Sequence, residues 1–245
     1  MKLIKTLLCA TLALVLGLSA LTVQETSATS TDAAAAEATM IAQQMPTYPL
    51  TTCVISGEEF TEETGEPVSF LYEGRLVRVC CKSCVKEFKK SPEGGMAKID
   101  QAIIAAQLPH YPLETCPVSG EELGGMGEPI NVITGTRLVR LCCKGCVKGH
   151  KKDSSKAMAK LDAAYIAAQL KHYPATTCLI SGEELGGMGE PIDLLYGNTL
   201  VRLCCKGCVK GFWKNPQEHM AALHAQGKKA HGEAEHGDHD GDHGK

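Results

Sequence analysis

One segment recurs three times along the 245-residue chain, and each copy carries four cysteines in the same order. Each copy opens on Tyr-Pro followed by a Thr-Cys-x-x-Ser-Gly-Glu-Glu box. The boxes span Tyr48 to Glu59, Tyr111 to Glu122 and Tyr173 to Glu184, so the period is 63 and then 62 residues. Self-similarity at such a period marks a series of small supersecondary units rather than one large core. Composition agrees, because only 4% of the chain is aromatic while 13 residues are cysteine. Units this small draw their stability from a metal or from disulfides, which argues against a large Rossmann or barrel enzyme. The formal net charge of -3, from 25 basic and 28 acidic residues, gives no field fit to hold a nucleic-acid backbone.

Within each copy, Gly-Glu-Pro (Gly65 to Pro67, Gly127 to Pro129, Gly189 to Pro191) leads into an apolar stretch. That stretch is broken by a turn at Glu73-Gly74, Gly135-Thr136 or Gly197-Asn198. The pattern predicts a β-hairpin, whose second strand, Leu76 to Val79, Leu138 to Leu141 or Leu200 to Leu203, runs into Cys-Cys-Lys-x-Cys-Val-Lys, the start of a helix. Ser91-Pro92 and Asn215-Pro216 break that helix, and an Ala-rich helix follows, clearest in Met96 to Leu108 and Met158 to Leu170. Helical spacing there assigns Met96, Met158 and Met220 to core packing rather than to copper. With no Gly/Ser linker between copies, the units are expected to stack in contact. The fold class expected is α+β: three tandem small Cys-rich modules, each a knuckle-like turn plus β-hairpin followed by a helix, connected by Ala-rich helices.

The N-terminus carries Lys2 and Lys5, then an apolar run ending in Leu18-Ser19-Ala20. This reads as a secretory signal peptide over 1–20, with an uncleaved membrane anchor as the alternative. Cleavage after Ala20 would remove Cys9 and leave 12 of the 13 cysteines, an even number suited to an exported, periplasmic or secreted chain. A Ser/Thr/Ala/Glu flexible spacer is expected over 21–45. Repeats follow at 46–108, 109–170 and 171–226, then a disordered His/Asp/Glu-rich tail at 227–245.

The cysteines are Cys53, Cys80, Cys81 and Cys84; Cys116, Cys142, Cys143 and Cys146; Cys178, Cys204, Cys205 and Cys208. The first lies before the hairpin and the other three at the strand-to-helix junction, so thiolates from two separate chain elements can converge on one ion. Adjacent strand residues point to opposite faces, whereas Cys81 lies three residues before Cys84 and shares its helix face. Both four-thiolate and three-thiolate sites fit this spacing. Four thiolates suit closed tetrahedral zinc, and two or three suit Cu(I) or an exchangeable ion. The rival readings are two disulfides per unit and a redox Cys-x-x-Cys at Cys81 and Cys84 and their counterparts, although no large βαβ context surrounds that motif.

Leu203-Cys204-Cys205-Lys206-Gly207-Cys208-Val209-Lys210-Gly211-Phe212-Trp213-Lys214-Asn215-Pro216 resembles the Phe-Cys-Ser-x-x-Cys-x-x-x-Phe-x-x-x-Pro ending of YHS and TRASH-type metal-binding domains. The lone Cys in the earlier Cys-x-x-Ser-Gly turn completes the likeness. It covers nearly all of each repeat and implies Cys53, Cys80 and Cys84, Cys116, Cys142 and Cys146, and Cys178, Cys204 and Cys208 as ligands. It also implies a role in heavy-metal sensing, trafficking or resistance. The family's aromatic pair before the second Cys is Arg-Val or Arg-Leu here, and its Ser is a further Cys.

His231, His236, His239 and His243, among Glu233, Glu235, Asp238, Asp240 and Asp242, form a tail able to bind metal loosely. His219 and His224 precede it on the last helix. His110 and His172 stand before Tyr-Pro in two copies, where the first has Thr47, so packing between units is expected rather than ligation. The pairs Glu58-Glu59, Glu121-Glu122 and Glu183-Glu184 read as turn residues, and Met126 and Met188 in Gly-rich loops as aids to a soft ion. Lys144, Lys148, Lys151 and Lys152 read as a solvated helix face near the thiols. The expectation is an exported binding, storage or trafficking protein for Zn2+ or Cu+, one ion per repeat, and not an enzyme. Its partners are transition-metal ions and a metal donor or acceptor protein of the envelope, without nucleic acid and without membrane beyond a retained anchor. The alternative is a disulfide-stapled interaction module.

Overall fold

The computed structural model describes residues 30–232, so the expected leader, Cys9 and the tail beyond Gly232, with His236, His239 and His243, lie outside the described residues. Helix α1, Ser30–Gln44, comes first. Three antiparallel hairpins follow: β1 Val68–Tyr72 with β2 Arg75–Val79, β3 Ile130–Thr134 with β4 Arg137–Leu141, and β5 Ile192–Tyr196 with β6 Thr199–Leu203. Each hairpin runs into a short helix and then a long one. These are α2 Lys82–Lys90 and α3 Pro92–Gln107, α4 Lys144–Lys152 and α5 Ser155–Leu170, and α6 Lys206–Phe212 and α7 Pro216–Gly232. The chain is thus a mixed α+β protein whose registers repeat, with Val68 opposite Val79, Ile130 opposite Leu141 and Ile192 opposite Leu203. Among the described residues no helix is long and apolar enough to cross a membrane.

The two-residue turns obey backbone chemistry. Glu73 and Gly74 both take positive φ, 49° and 75°, while in the other two hairpins Gly135 and Gly197 take it alone, at 61° and 65°. Those are the I′ and II′ patterns that match strand twist. A two-stranded sheet is marginal by itself, and here each second strand is covered on both faces. Consecutive residues point opposite ways. Val139 and Leu141 enter the core of their own unit with Cys116, Cys142 and Cys146. Leu138 instead joins Phe88, Ile99 and Ile103 in the core of the unit before. Likewise Ile133 packs on the first core and Leu195 on the second. The units therefore share cores.

Each long helix that precedes a hairpin carries, at or next to its last residue, a glutamine that clamps that hairpin. Gln44 Nε2 donates to the Gly74 carbonyl and its Oε1 accepts from Leu76 N–H, both at 2.9 Å. Gln107 does the same to Thr136 and Leu138 at 2.8 and 2.9 Å, and Gln169 to Asn198 and Leu200 at 2.8 and 3.0 Å. The repeated Tyr adds a second tie, because the Tyr48, Tyr111 and Tyr173 hydroxyls accept from the N–H groups of Arg78, Arg140 and Arg202 at 3.3, 3.0 and 3.0 Å.

Two joints link consecutive units. Arg75 Nε donates to the Gly135 carbonyl at 3.1 Å and pairs with Asp100, and Arg137 Nε donates to Asn198 Oδ1 at 2.8 Å and pairs with Asp162 at 2.6 Å. A third joint returns to the beginning: a Cβ at Gly197 would lie 2.8 Å from Pro46 Cβ and 2.9 Å from Thr47 Cγ2, so only glycine lets the third turn seat there. Gln107 touches every party, donating weakly to the Thr47 carbonyl at 3.4 Å and accepting from Asn198 Nδ2 at 3.1 Å besides its clamp. Stacking in contact is observed, and it closes on itself.

The structure corrects two expectations and divides a third. The segment read as a flexible spacer, 21–45, contains α1, because its Ala-rich stretch favours helix and Ile41 and Met45 dock on the first core. Residues 227–232, expected to belong to a disordered tail, lie in α7, which continues to Gly232. His172 is exposed, His110 lines a cleft with Gln107, Tyr165, Gln169 and Asn198, and the hydrogen bonds between units come from the glutamines at the preceding helix ends.

One core position differs among the repeats. Phe88 and Phe212 are buried edge-on against Tyr72 and Tyr196, whereas the second unit has His150, 3% exposed, with Nε2 2.7 Å from Thr134 Oγ1. Its Nδ1 is buried without a hydrogen-bond partner, and desolvation holds its pKa below the ordinary 6.5. A histidine depressed in the folded state contributes stability that is complete above the unfolded pKa and lost as pH falls below about 6.5. We expect His150→Phe to lose less Tm than wild type between pH 7.5 and pH 5 in thermal melts. A second expectation concerns the hub: Gln107→Ala strands buried backbone groups and should cost about 2–3 kcal/mol in denaturant titrations. Gln44→Ala, at a half-buried position, should cost less.

Candidate metal centre

The first thiol of each site comes from a tight turn. Cys53 N–H donates to the Glu58 carbonyl at 2.8 Å and its carbonyl accepts from Gly57 N–H at 2.9 Å, a closure repeated at Cys116 and Cys178. Gly57, Gly120 and Gly182 take φ of 78°, 83° and 75°, which explains the glycine of the box. The following Glu pairs serve through their backbones, Glu59, Glu122 and Glu184 bridging back to Thr52, Thr115 and Thr177. The second thiol directly follows the second strand, and the third lies in the first turn of the short helix. The hairpin thus aims Cys80 and Cys84 at the Cys53 turn.

The result is three like clusters: Cys53, Cys80 and Cys84; Cys116, Cys142 and Cys146; Cys178, Cys204 and Cys208. Within each, the sulfurs lie within 4.8 Å of one another. The pairs Cys80–Cys84, Cys142–Cys146 and Cys204–Cys208 are each 3.6 Å apart. Sulfurs bound to one tetrahedral zinc at about 2.3 Å stand about 3.8 Å from each other, so the triads have the size of an ion's coordination shell. All twelve described cysteines are free thiols. The second and third triads are buried throughout, whereas Cys80 and Cys84 of the first are half-buried.

Cys81, Cys143 and Cys205, grouped with the ligands from sequence, fall outside the triads. They cap the short helices in extended conformation, with φ of -155°, -158° and -159°. Cys205 Sγ still lies 3.6 Å from Cys208 Sγ, and Cys81 Sγ 2.9 Å from Ser83 Oγ. The observed division matches the three-thiolate alternative.

Local donors tune the sulfurs unequally. Burial alone would raise the Cys53 thiol, but the Ser56 hydroxyl and backbone N–H groups of Ser56, Cys80 and Ile55 outweigh it and bring it down to about 6. Burial is likewise outweighed at Cys116 and Cys178, by donors from Ser119 and Cys142 and from Cys204 and Ser181, and both fall to about 6. Burial pushes Cys84 above the usual thiol range and Cys146 and Cys208 up to about 12. The first thiol of each triad is thereby favoured as the thiolate, whereas burial favours the protonated form of Cys84, Cys146 and Cys208 until a cation binds. Lys144, Lys148, Lys151 and Lys152 are exposed, and hydrogen bonds rather than these lysines lower the Cys116 and Cys143 thiols.

The Ser of the box is a supporting residue that the sequence reading left without a role. Ser119 and Ser181 Oγ lie 3.3 Å from Cys142 and Cys204 Sγ, each anchored by an N–H from Glu121 or Glu183 at 3.3 Å. Ser56 Oγ stands 3.5 Å from Cys80 Sγ. The other candidates sit elsewhere. Met96 and Met158 pack against the cores and Met220 lies within one, as expected. Met126 and Met188 are exposed on their loops, and His219 rests against Phe212 with ring centroids 5.9 Å apart. His224 lines a cleft of about 360 Å³ with Met45, Pro46, Tyr196 and Thr199.

No family model matches the chain, and neither the curated proteins nor the solved structures contain a match to it. The site is therefore defined by its own geometry. Hydrogen-bond partners of metal ligands typically govern affinity by about ten- to a hundred-fold. If each triad holds an ion, Ser181→Ala is expected to weaken its binding in the third unit by about ten-fold or more and to leave three ions per chain, as read with zinc by competition with a chromogenic chelator.

Proposed function

We propose that this protein is an exported carrier or store of a thiophilic transition metal, Zn(II) or Cu(I), holding one ion in each of three modules of the YHS/TRASH kind. The observation that carries the reading is the threefold recurrence of a sulfur triad of ion-coordinating size. A catalytic centre need not occur three times with the same donors, and soft thiolates select Cu(I) and zinc over hard cations. Three sulfurs leave an ion's remaining coordination position open, which suits exchange with a donor or acceptor protein better than a sealed structural site does. The knuckle-like turn at each first cysteine supports the family resemblance. The leader over 1–20 supports export, and the His-rich tail supports loose collection of ions before the triads receive them.

Native mass spectrometry of the mature chain tests this. Three zinc or copper ions are expected, falling to two in Cys116→Ser, with twelve free thiols after denaturation. A metal-free chain about twelve mass units lighter, from six bridges, would replace this reading with a disulfide-stapled module. Because Cys80 and Cys84 are more open than their counterparts, chelator titration should empty the first unit before the others, and Cys53→Ser should abolish that fast phase.

A further inference from the structure

The cysteine beside each triad has no part in holding the proposed ion, yet it is placed to disturb it. Cys205 Sγ stands 3.6 Å from ligand Cys208 Sγ, as close as the two ligands Cys204 and Cys208 stand to each other. Cys205 is half-buried where Cys208 is 7% exposed, and Cys143 and Cys146 repeat that contrast, with Cys146 8% exposed. In the second and third units a glycine follows two residues on, and a Cβ at Gly145 or Gly207 would lie 3.7 or 3.6 Å from the Cys143 or Cys205 sulfur. The sulfur therefore lies over the first helical turn, toward the ligand. In the first unit Ser83 occupies that place and holds Cys81. Cys-x-x-Cys at the start of a helix is a spacing at which a disulfide closes readily.

With an ion bound, the three triad sulfurs are engaged, and the fourth is the uncoordinated thiol of its unit. We propose that Cys81, Cys143 and Cys205 are redox triggers for release: oxidation joins each to Cys84, Cys146 or Cys208 and so removes one sulfur from the triad. The inference rests on the metal-binding reading. The oxidant is a low-molecular-weight disulfide. The free thiolate attacks one of its sulfurs, forming a mixed disulfide and expelling one thiolate. The ligand sulfur then attacks the mixed disulfide, closes the protein disulfide and expels the second thiolate. Two protein thiolates are oxidised, one small disulfide is reduced to two thiols, and the ion is left with two sulfurs.

The test uses the full chain loaded with zinc, treated with glutathione disulfide, alongside the Cys81→Ser, Cys143→Ser, Cys205→Ser triple variant. Zinc per chain is measured before oxidant is added, then zinc release with a chromogenic chelator and disulfide formation by intact mass. Expected are three zinc ions in both proteins. Wild type should release them with a loss of about six mass units, two per bridge, and the variant should release them at least about ten-fold more slowly. Reductant should restore binding to wild type. Equal release rates would overturn the proposal by showing that the triads are oxidised directly, and a stable mixed disulfide with zinc retained would overturn it by showing that no ligand is withdrawn. Loss of zinc binding in the variant alone would make these cysteines ligands and so not triggers. Absence of zinc from both proteins before oxidation would instead remove the metal-binding reading itself, and this inference with it.

Discussion

The alternation of side chains along the second strand of each hairpin is the constraint on which the molecule depends. A strand only five residues long has room for one apolar residue facing backward, such as Leu138, and two facing its own unit, Val139 and Leu141. Neither face could be left to water, since a lone two-stranded sheet gains too little from burial. The second and third hairpins are therefore walls shared by two cores, the first packs its backward face on α1, and the long helix before each supplies both apolar cover and the amide that satisfies the turn's backbone. The same strand delivers its terminal cysteine to the turn where the first thiol waits. The geometry of the sulfur triads and the packing between units are thus two outcomes of one register.

The scarcity of aromatic residues acquires a meaning in this light. The first and third cores have aromatic pairs at Phe88 and Phe212, but the second fills that place with His150 and Thr134. Cores this lean cannot sustain independent domains, so sulfur triads and shared walls carry part of the task that bulky side chains perform elsewhere. Cys53 counts among the buried residues of the first core, and Cys178, Cys204 and Cys208 among those of the third. An ion at those sulfurs would tie the turn of the box to the strand-to-helix junction, which otherwise meet through apolar contact and the hydrogen bond of the box serine.

Much of this was legible in the sequence. The period, the hairpins with their turn residues, the proline breaks between helices and the cysteines of each triad follow from local chemistry that leaves a written trace. The glutamine clamps were not legible, because an amide at the end of an Ala-rich helix looks like any exposed polar residue until the hairpin it serves is folded beside it. A trace did exist: Ile41 and Gln44 stand before the first Tyr-Pro as Ile104 and Gln107 stand before the second. Beginning the repeat at Tyr-Pro hid it, and with it the helical character of the segment over 30–44. The buried histidine escaped notice for a similar reason, since its equivalence to Phe88 becomes visible only when the short helices are laid over one another. The choice between three and four thiolates turned on the extended backbone of Cys81, Cys143 and Cys205, a conformation that spacing alone does not fix.

Arrays built by duplication usually stay open, and their length can drift by whole copies. This one cannot. Arg75 and Arg137 each reach forward to a following turn, while the third copy has Thr199 at that position and His224 where the earlier copies have Asp100 and Asp162. Its turn seats instead on Pro46 and Thr47, and Gln107 holds contacts to the chain before the first hairpin and to both later turns. A fourth copy would find that seat taken, and a two-copy chain would leave it empty. The number of sulfur triads in one molecule is in this way set by the closure of its backbone rather than by each triad separately.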